Sequence, residues 1–463
     1  MSDTSFAWRS FALFMAIICS IAVRADGQPP FAISGPGVDP AQFKITTFAT
    51  GLNFPVGMTE LDDGSIVVAT SNGSYFGSKS GQLIRLADNN GDGVADQTDV
   101  LVSQVPFGQL TSVQRMGDLF FTTGLGQPIA IFRAGLQPSD PLTLAGSIEF
   151  TYPSDTWDHM NSALAVRATP GVSNSYDVFF QIGSETNAGL TTATVGLTST
   201  LGLTGTLAGD AIHKVTVVEN GATITAGGLQ QIATGLRNPA GMAFQPGTGD
   251  LYFQDNGIDG LVNRNEPESA DELNRIVAAD LGGPVEDFGF PFNYVKYRTN
   301  EFVGGQGVPP LVAFQPIPMP DGKEGEGAND IAFGPALFPD SLRDGIFVGM
   351  HGKFNAGGDA NEENPLLFTN LGTGDYFQFI SGDEPLVGHL DGLLATRDSL
   401  FVADISRRGS MSQTNDGAIY RIQSLVPEPS STILGLVGLG MAWGVCRVRS
   451  RKKGSSAESV GSF

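Results

Sequence analysis

A short acidic run carries the clearest chemical signal in the sequence. The segment Asp88-Asn89-Asn90-Gly91-Asp92-Gly93-Val94-Ala95-Asp96 places oxygen-bearing side chains at alternating positions, and its glycines permit a sharp turn. Oxygen ligands in this arrangement suit a hard cation such as calcium. The helices and the twelfth-position glutamate of an EF-hand are missing, so we expect a shorter calcium loop with a structural role, the alternative being a solvated acidic turn. Its predicted ligands are Asp88, Asn90, Asp92 and Asp96.

A second constellation lies in the middle of the chain. Gly235-Leu236-Arg237-Asn238-Pro239 is followed by an aromatic strand ending in Asp255-Asn256-Gly257, then by Asp271-Glu272-Leu273-Asn274-Arg275-Ile276 and Phe288-Gly289-Phe290-Pro291. In this order the motifs resemble the glucose/sorbosone dehydrogenase family. The similarity extends over about residues 43–425 and is strong over 232–294. The resemblance implies a six-bladed β-propeller, whose enzymatic members oxidise sugars or related alcohols with pyrroloquinoline quinone and calcium.

The resemblance also implies a catalytic base. Asp158-His159, an apolar strand over 164–166 and Gly183-Ser184-Glu185-Thr186-Asn187 match the family pattern around a histidine that accepts the hydroxyl proton. Histidine suits that role because its pKa lies near working pH. The resemblance therefore implies that His159 is the base and that the adjacent Asp158 orients its ring.

The cofactor contacts follow from the same resemblance. Arg237 and Asn238 match the pair that contacts the quinone, where a guanidinium can bind carboxylates bidentately. Lys353 falls near the family's cofactor lysine, displaced by one residue. The calcium that positions the quinone uses the loop after the D-N-G strand, where this chain offers Asp259, Asp271 and Glu272.

One departure bears on the cofactor. Catalytic members carry arginines before the inner strand of the last blade, and this chain has Gly388-His389-Leu390-Asp391 there. Charge-assisted hydrogen bonds are worth about 1.5–3 kcal/mol each, so the loss of two cations argues against quinone binding.

The remaining histidines and cysteines add little chemistry. His213 lies on an alternating strand and is predicted to be a surface residue, whereas His351 and His389 are predicted at blade loops that face the central channel. The sequence has no zinc-type cluster, nucleophile elbow, P-loop or dinucleotide fingerprint. Its two cysteines, Cys19 and Cys446, lie in the terminal segments.

An internal repeat indicates the elements that position these residues. Ala49-Thr50-Gly51-Leu52 with Pro55, Gly57 and Met58 recurs as Ala233-Thr234-Gly235-Leu236 with Pro239, Gly241 and Met242, and each copy runs into a turn and a strand. Similar turn-plus-strand marks bring the total to six, which favours an all-β, six-bladed propeller over a sandwich or two β-domains. A strand over 43–48 is predicted to complete the last blade, because ring closure removes a free edge.

Composition excludes several functional classes. The chain has 463 residues, with 61 glycines and 27 prolines, which argues against a coiled coil or helical bundle. Its 26 basic and 48 acidic residues give a formal net charge of −22, so phosphate-rich nucleic acids and anionic membrane surfaces are unsuitable partners.

Both ends are predicted to direct export. Residues 1–25 have the charged, apolar and small-residue regions of a signal peptide. Near the other end, Val426-Pro427-Glu428-Pro429 precedes an apolar stretch and a basic cluster, an order that resembles the PEP-CTERM sorting signal. This resemblance implies transient membrane anchoring over 426–454, cleavage by a dedicated sorting protease and surface or extracellular localisation, with a permanent anchor as the alternative. Residues 26–425 are then the propeller and 455–463 a polar tail.

Three functional hypotheses remain at this point. The first is a surface quinoprotein-like dehydrogenase that oxidises a sugar or related alcohol. The second is a non-catalytic, calcium-dependent propeller that binds exopolysaccharide or a surface protein. The third is a propeller lactonase or sugar-ester hydrolase, in which calcium polarises a carbonyl and His159 acts as base.

Overall fold

The structure is a computed structural model that describes residues 29–425 except 106 and 264. The predicted signal peptide, the segment 426–454 and the tail 455–463 lie outside the described residues. In the described part, no helix has the length and apolar character needed to cross a membrane.

Short strands dominate the chain. The first fifteen are β1 (Phe43–Leu52), β2 (Met58–Glu60), β3 (Ile66–Ser71), β4 (Gly81–Ala87), β5 (Gln97–Val105), β6 (Leu110–Met116), β7 (Leu119–Gly124), β8 (Ile129–Arg133), β9 (Thr143–Thr151), β10 (Leu164–Ala168), β11 (Ser175–Ile182), β12 (Thr194–Ser199), β13 (Thr204–Ala208), β14 (Ala211–Asn220) and β15 (Thr223–Thr234). The others are β16 (Gly241–Phe244), β17 (Leu251–Asp255), β18 (Glu272–Ile276), β19 (Glu286–Asp287), β20 (Tyr294–Val295), β21 (Phe302–Val303), β22 (Val312–Ala313), β23 (Ala328–Phe333), β24 (Gly345–Met350), β25 (Leu366–Asn370), β26 (Tyr376–Ile380), β27 (Gly392–Ala395), β28 (Ser399–Asp404) and β29 (Gly417–Ser424). A single helical turn, α1 (Asp340–Arg343), and two 3₁₀ turns, Pro40–Gln42 and Gly358–Ala360, complete the described elements.

The strands form six blades, which confirms the predicted six-bladed propeller. From the inner strand outward the blades are β2-β3-β4-β5, β6-β7-β8-β9, β10-β11-β14-β15, β16-β17-β18-β22, β23-β24-β25-β26 and β27-β28-β29-β1. The hairpin β12-β13 extends the second blade, and β19 extends the third. A separate two-stranded ribbon is formed by β20 and β21.

The second strand of most blades lies between neighbouring blades. Every residue of β3, β7, β17, β24 and β28 is buried. Because both faces of such a strand are covered, its sequence is nearly continuously apolar instead of alternating. This is why the repeated marks, such as Leu119-Phe120-Phe121, were visible in the sequence.

The N-terminal strand closes the ring, as predicted. β1 pairs antiparallel with β29 from Phe43 opposite Ser424 to Leu52 opposite Gly417. Phe48 on β1 packs edge-on against Phe401 on β28, two strands inward, with ring centroids 5.0 Å apart. The last blade is therefore built from both ends of the described chain, and β1 covers the edge of β29 that would otherwise be unpaired.

The prediction that His213 is a surface residue is wrong. Its side chain is buried, its Nε2 lies 2.8 Å from the carbonyl oxygen of Ala208, and its ring stacks on Phe180. Ala208 ends β13, so the added hairpin supplies the partner that covers this position. The alternation along β14 could not reveal a hairpin that pairs with a different blade.

We expect Phe48→Ala to destabilise the propeller strongly. Phe48 is 2% exposed, and truncation of a buried aromatic side chain costs about 3–5 kcal/mol. Denaturant unfolding should show this loss, whereas Val100→Ala, at a position 48% exposed, should change the unfolding free energy by less than about 0.5 kcal/mol. Equal effects of the two variants would contradict the role given to β1.

We also expect His213 to make stability depend on pH. Burial lowers the pKa of His213 to about 4, so the folded ring stays neutral while the unfolded residue takes up a proton. Its contribution is complete above the ordinary pKa of about 6.5 and is lost as the pH falls towards 4. Between pH 7 and pH 5, wild type should therefore lose about 2 kcal/mol more unfolding free energy than His213→Gln. Parallel stability–pH curves for the two proteins would contradict this expectation.

Candidate functional site

A polar cavity of about 350 Å³ lies where the loops of the third, fourth and fifth blades meet. His159 comes from the loop before β10, and Arg237 and Asn238 come from the turn before β16. Gly235, which precedes that pair, has φ +69° and lies against the backbone of Gly289, so a larger residue would be both strained and obstructed there. The cavity is completed by Asn256, Gly257, Asp259, Pro267, Ser269, Asp271, Tyr297, Gly325, Glu326, Gly327 and Phe354.

The tautomer of His159 is set by a neighbouring hydroxyl group. Its Nδ1 lies 2.8 Å from Ser184 Oγ, and the Ser184 hydroxyl donates to the carbonyl oxygen of Thr186 at 2.8 Å. Because a hydroxyl has one proton to donate, Ser184 must accept from His159 Nδ1–H, which leaves Nε2 as an acceptor. Burial, reinforced by the charge of Arg237, lowers the pKa of His159 to about 3. The ring is therefore neutral at physiological pH.

Asp158 does not have the predicted orienting role. It is exposed, and its backbone N–H donates to the carbonyl oxygen of Glu185. The group on the His159 ring is Ser184, because residues 158 and 159 point in different directions from the same loop. Ser184 stood within the motif quoted above, but nothing in the sequence identified it as the partner.

Arg237 is buried and engaged. Its guanidinium donates to the carbonyl and side-chain oxygens of Asn187, to the carbonyl oxygen of Asn256 and to Asp259 Oδ2 at 2.7 Å. These bonds use four of the five N–H groups of the side chain. Arg237 lines the central cavity, and its charge is already matched by Asp259. Its predicted contact with a cofactor stays a prediction.

A buried carboxylate shapes the turn that carries this arginine. Asp255 accepts from the backbone N–H groups of Arg237 and Asn238, at 2.9 and 2.5 Å. Burial raises the pKa of Asp255 to about 7. The Asn238 amide in turn donates to Asn256 Oδ1 at 2.9 Å. The D-N-G strand end therefore positions the Arg-Asn pair by backbone contacts.

The structure does not gather the three predicted metal ligands of this region. Asp259 is exposed and pairs with Arg237. Both oxygens of Asp271 accept backbone N–H groups, from Gly257 and from Ala328 at 2.8 Å each. Glu272, the next residue along the strand, lies in a neighbouring cleft instead of the central cavity.

A different acidic group lies at the cavity wall. One oxygen each of Glu324, Glu326 and Glu363 fall within 4.8 Å of one another, and all three side chains are half-buried. Burial and the charge of Glu363 raise the pKa of Glu326 to about 9. The only trace of this group in the sequence is the alternation Glu324-Gly325-Glu326-Gly327, because Glu363 comes from a distant segment.

Lys353 lies outside the central cavity. It is exposed, and its Nζ lies 3.5 Å from Glu362 and 3.3 Å from Glu363. It lines a second, larger cavity of about 770 Å³ together with Glu324 and Glu363.

The place of the family arginines holds a histidine–aspartate cluster. Asp391 is 1% exposed, and its two oxygens lie 3.0 and 2.9 Å from His351 Nδ1. The His351 ring stacks on that of His389 with centroids 4.1 Å apart. Although burial acts in the opposite direction, His351 holds the pKa of Asp391 below its ordinary value. Burial lowers the pKa of His389 to about 4, so this position brings no fixed cation.

An open aromatic pair borders the cavity. Phe354 is 55% exposed and stacks on Phe76, which is 47% exposed, with ring centroids 4.9 Å apart. Neither residue was singled out from the sequence, because they come from different blades and meet only in the closed ring.

The acidic loop 88–96 lies on the closing seam, away from this cavity. Asp88 accepts from the backbone N–H groups of Gly91, Asp92 and Gly93 and pairs with Arg421 of β29 at 3.3 Å. Lys44 and Thr46 of β1 donate to backbone carbonyl oxygens of the same loop. Asn90 and Asp92 each accept the backbone N–H two residues on, while Asp96 accepts from Asn89. Calcium binding by this loop stays a prediction.

Comparison with known proteins identifies the C-terminal signal. Residues 425–452 match the PEP-CTERM protein-sorting motif, which confirms the predicted signal and indicates export with surface sorting. A curated protein of Borreliella burgdorferi, described as uncharacterized, is 39% identical over 69 residues. That match covers 15% of this chain and only 16% of the relative's length, so it carries no functional argument.

Solved structures of sugar dehydrogenases share the fold. The quinone-binding domain of pyranose dehydrogenase from Coprinopsis cinerea aligns with a TM-score of 0.54 at 14% identity, covering 86% of this chain and 98% of that one. A calcium-containing carbohydrate-active enzyme of family AA12 from Trichoderma reesei gives 0.52 at 14% identity, with 86% and 98% covered. The quinone-bound aldose sugar dehydrogenase of Streptomyces coelicolor gives 0.51 at 17% identity, with 83% and 99% covered. At these identities the likeness establishes the propeller fold.

The central site does not fit the quinone of those enzymes. Pyrroloquinoline quinone is a tricarboxylate and needs several cationic partners. Here Arg237 is paired with Asp259, Lys353 is paired with Glu362 and Glu363, and the arginine positions hold His389 and Asp391. Glu326 and Asp271 add further carboxyl groups to the cavity wall.

We expect calcium to stabilise the closing seam if the loop 88–96 binds it. Asp92→Asn keeps a side-chain acceptor for the backbone N–H of Val94 but removes one charge from the loop. Calcium should raise the melting temperature of wild type, and this rise should be smaller in Asp92→Asn because calcium affinity depends on ligand charge. Differential scanning calorimetry with added calcium or chelator measures both. An equal rise in the two proteins would contradict calcium binding at this loop.

Proposed function

We propose that the protein is a surface propeller that binds a neutral carbohydrate in the central cavity. The observation that carries this proposal is the charge of the cavity: Asp259, Asp271 and Glu326 line it, and Arg237 is already paired with Asp259. An acidic site repels an anionic ligand and accepts a neutral one.

The hydrogen-bonding character of the lining suits a polyhydroxylated molecule. His159 Nε2, the carboxylate of Asp259 and the side-chain oxygen of Asn238 are acceptors, and all three residues line the same cavity. Sugar hydroxyl groups are donors as well as acceptors, so they can satisfy such a wall without adding charge. Specificity would come from these few polar groups.

The aromatic pair suits the other face of a sugar. The open ring of Phe354 offers an apolar surface at the rim of the cavity, and stacking on Phe76 holds it in place. Covering the C–H face of a pyranose removes apolar surface of both groups from water. Exposed, adjacent aromatic residues are characteristic of binding sites.

A second candidate function is oxidation of a sugar or related alcohol. His159 favours it, because a neutral imidazole with a free Nε2 can accept the proton of a bound hydroxyl group. The fold shared with sugar dehydrogenases also supports this candidate. The residues present do not fit the quinone, so this candidate includes no hydride transfer to it.

Export places the protein where it can meet a carbohydrate. We propose that the chain is anchored transiently in the inner membrane through the matched segment 425–452 and then processed by a sorting protease at the cell surface. A neutral exopolysaccharide at that surface would be a source of the carbohydrate.

The test is a titration of the purified full-length chain with neutral oligosaccharides, followed by isothermal calorimetry. We expect Phe354→Ala to weaken binding about tenfold or more, because it removes the apolar surface that would cover one face of the sugar, and a tenfold change corresponds to about 1.4 kcal/mol. The matched control is Phe292→Ala, which removes an aromatic ring that is 70% exposed and outside the central cavity. Equal affinities of the two variants, or no binding of any neutral oligosaccharide, would count against the proposal.

A parallel titration with pyrroloquinoline quinone and calcium decides the second candidate. We expect no micromolar binding and no sugar-dependent dye reduction. Tight quinone binding with dye reduction that His159→Ala abolishes would establish a dehydrogenase and overturn the non-catalytic proposal.

A further inference from the structure

The three glutamates at the wall between the two cavities have an unbalanced charge. Glu324 pairs with Arg298 at 2.5 Å, and Glu363 pairs with Lys353 at 3.3 Å. Arg298 is shared with Glu266 and Asp321, and Lys353 is shared with Glu362. Five carboxylates therefore share two cationic side chains, and Glu326 adds a sixth carboxyl group.

Glu326 is the member without a cationic partner. Among residues 29–425, positions 106 and 264 excepted, no ion pair or side-chain hydrogen bond of Glu326 is found, although its backbone N–H donates to the carbonyl oxygen of Glu363. Its carboxyl group lines the central cavity, whereas Glu324 and Glu363 line the larger one. Like charges this close, half-buried, need a counter-ion or a proton.

A second observation points to a missing partner at the same place. Tyr297 is 2% exposed and lines the central cavity beside Glu326. The backbone N–H of Gly325 faces its hydroxyl oxygen, but the hydroxyl proton has no acceptor in the described part of the chain. The phenol lies in the field of Glu326 and Glu324, which, after burial, are the largest causes that raise its pKa. Buried polar atoms are rarely left unsatisfied, so this hydroxyl group indicates an additional ligand or ordered water.

We propose that Glu324, Glu326 and Glu363 form a divalent-cation site of the calcium type, with the Tyr297 hydroxyl group bonded to a water molecule of the cation's coordination sphere. Three carboxylate oxygens within 4.8 Å of one another match the oxygen-rich set that hard cations take, and calcium commonly keeps water among its ligands. The site differs from the loop 88–96 and from the predicted set Asp259, Asp271 and Glu272.

The site is tested with the metal alone on the full-length chain, independently of any carbohydrate. Calcium binding is measured by calorimetry in the Asp92→Asn background, which weakens the separate loop. We expect Glu326→Gln to lower calcium affinity about tenfold or more, because affinity follows the number of charged oxygen ligands. The matched control is Glu301→Gln, which removes a 61% exposed carboxylate paired with Lys296 and should leave the affinity unchanged.

Terbium luminescence, excited through tyrosine, provides a second readout. We expect Tyr297→Phe to reduce the sensitised emission at least twofold while terbium affinity changes by less than about threefold, because the hydroxyl group acts through water. Glu363→Gln keeps the test valid if Glu326→Gln does not fold, as judged by its melting temperature. The proposal would be overturned if the glutamate variants bound calcium as tightly as the Glu301→Gln control. It would also be overturned if the folded protein bound no cation.

Discussion

Ring closure by β1 and β29 is the constraint on which the rest of the molecule depends. Their antiparallel pairing joins the two ends of the described chain in one blade, and each other blade packs against neighbours whose positions that closure sets. The acidic loop 88–96 contacts both strands of the seam, through Lys44 on β1 and Arg421 on β29. The charged groups of loop 88–96 therefore stabilise ring closure, whereas the candidate functional residues lie on the loops around the axis.

Buried carboxyl groups help to hold the elements around the axis. Asp255, Asp330 and Asp404 each accept backbone N–H groups there, and burial raises the pKa of each to about 7. Asp271 bonds the loop after β17 to the start of β23 in the same way. A scaffold that depends on acceptors concentrates negative potential at the axis. Asp271 also lines the central cavity, so a group that holds the loops contributes to the negative charge that a ligand meets there.

The sequence predicted the fold well because its evidence was local and repeated. A buried second strand in every blade must be apolar, so marks such as Ile346-Phe347-Val348 recur whatever lies around them. The site was predicted only in part. His159, Arg237 and Asn238 do meet at one cavity, because their motifs begin blades, but their partners come from other loops: Ser184 on the histidine, Asp259 and Asn187 on the arginine. Contacts between chain segments that differ in blade, including Phe76 with Phe354 and His213 with the added hairpin, leave no periodic trace in a sequence.

The loss of cationic character at the axis is distributed over several positions, and this argues that it reflects a change of ligand. A single missing arginine could be compensated by a neighbouring basic group. Here no basic group compensates: Asp391 adds a buried carboxylate at that place and binds His351. Asp259 is paired with the guanidinium of Arg237, and Glu363 is paired with Lys353. A polyanionic ligand would have to displace each of these partners, and displacement at Asp391 or Glu363 would leave a buried or half-buried carboxylate without a counter-ion. A neutral sugar needs no such displacement, and a divalent cation is attracted by the same charges, so the two proposals follow from one electrostatic condition.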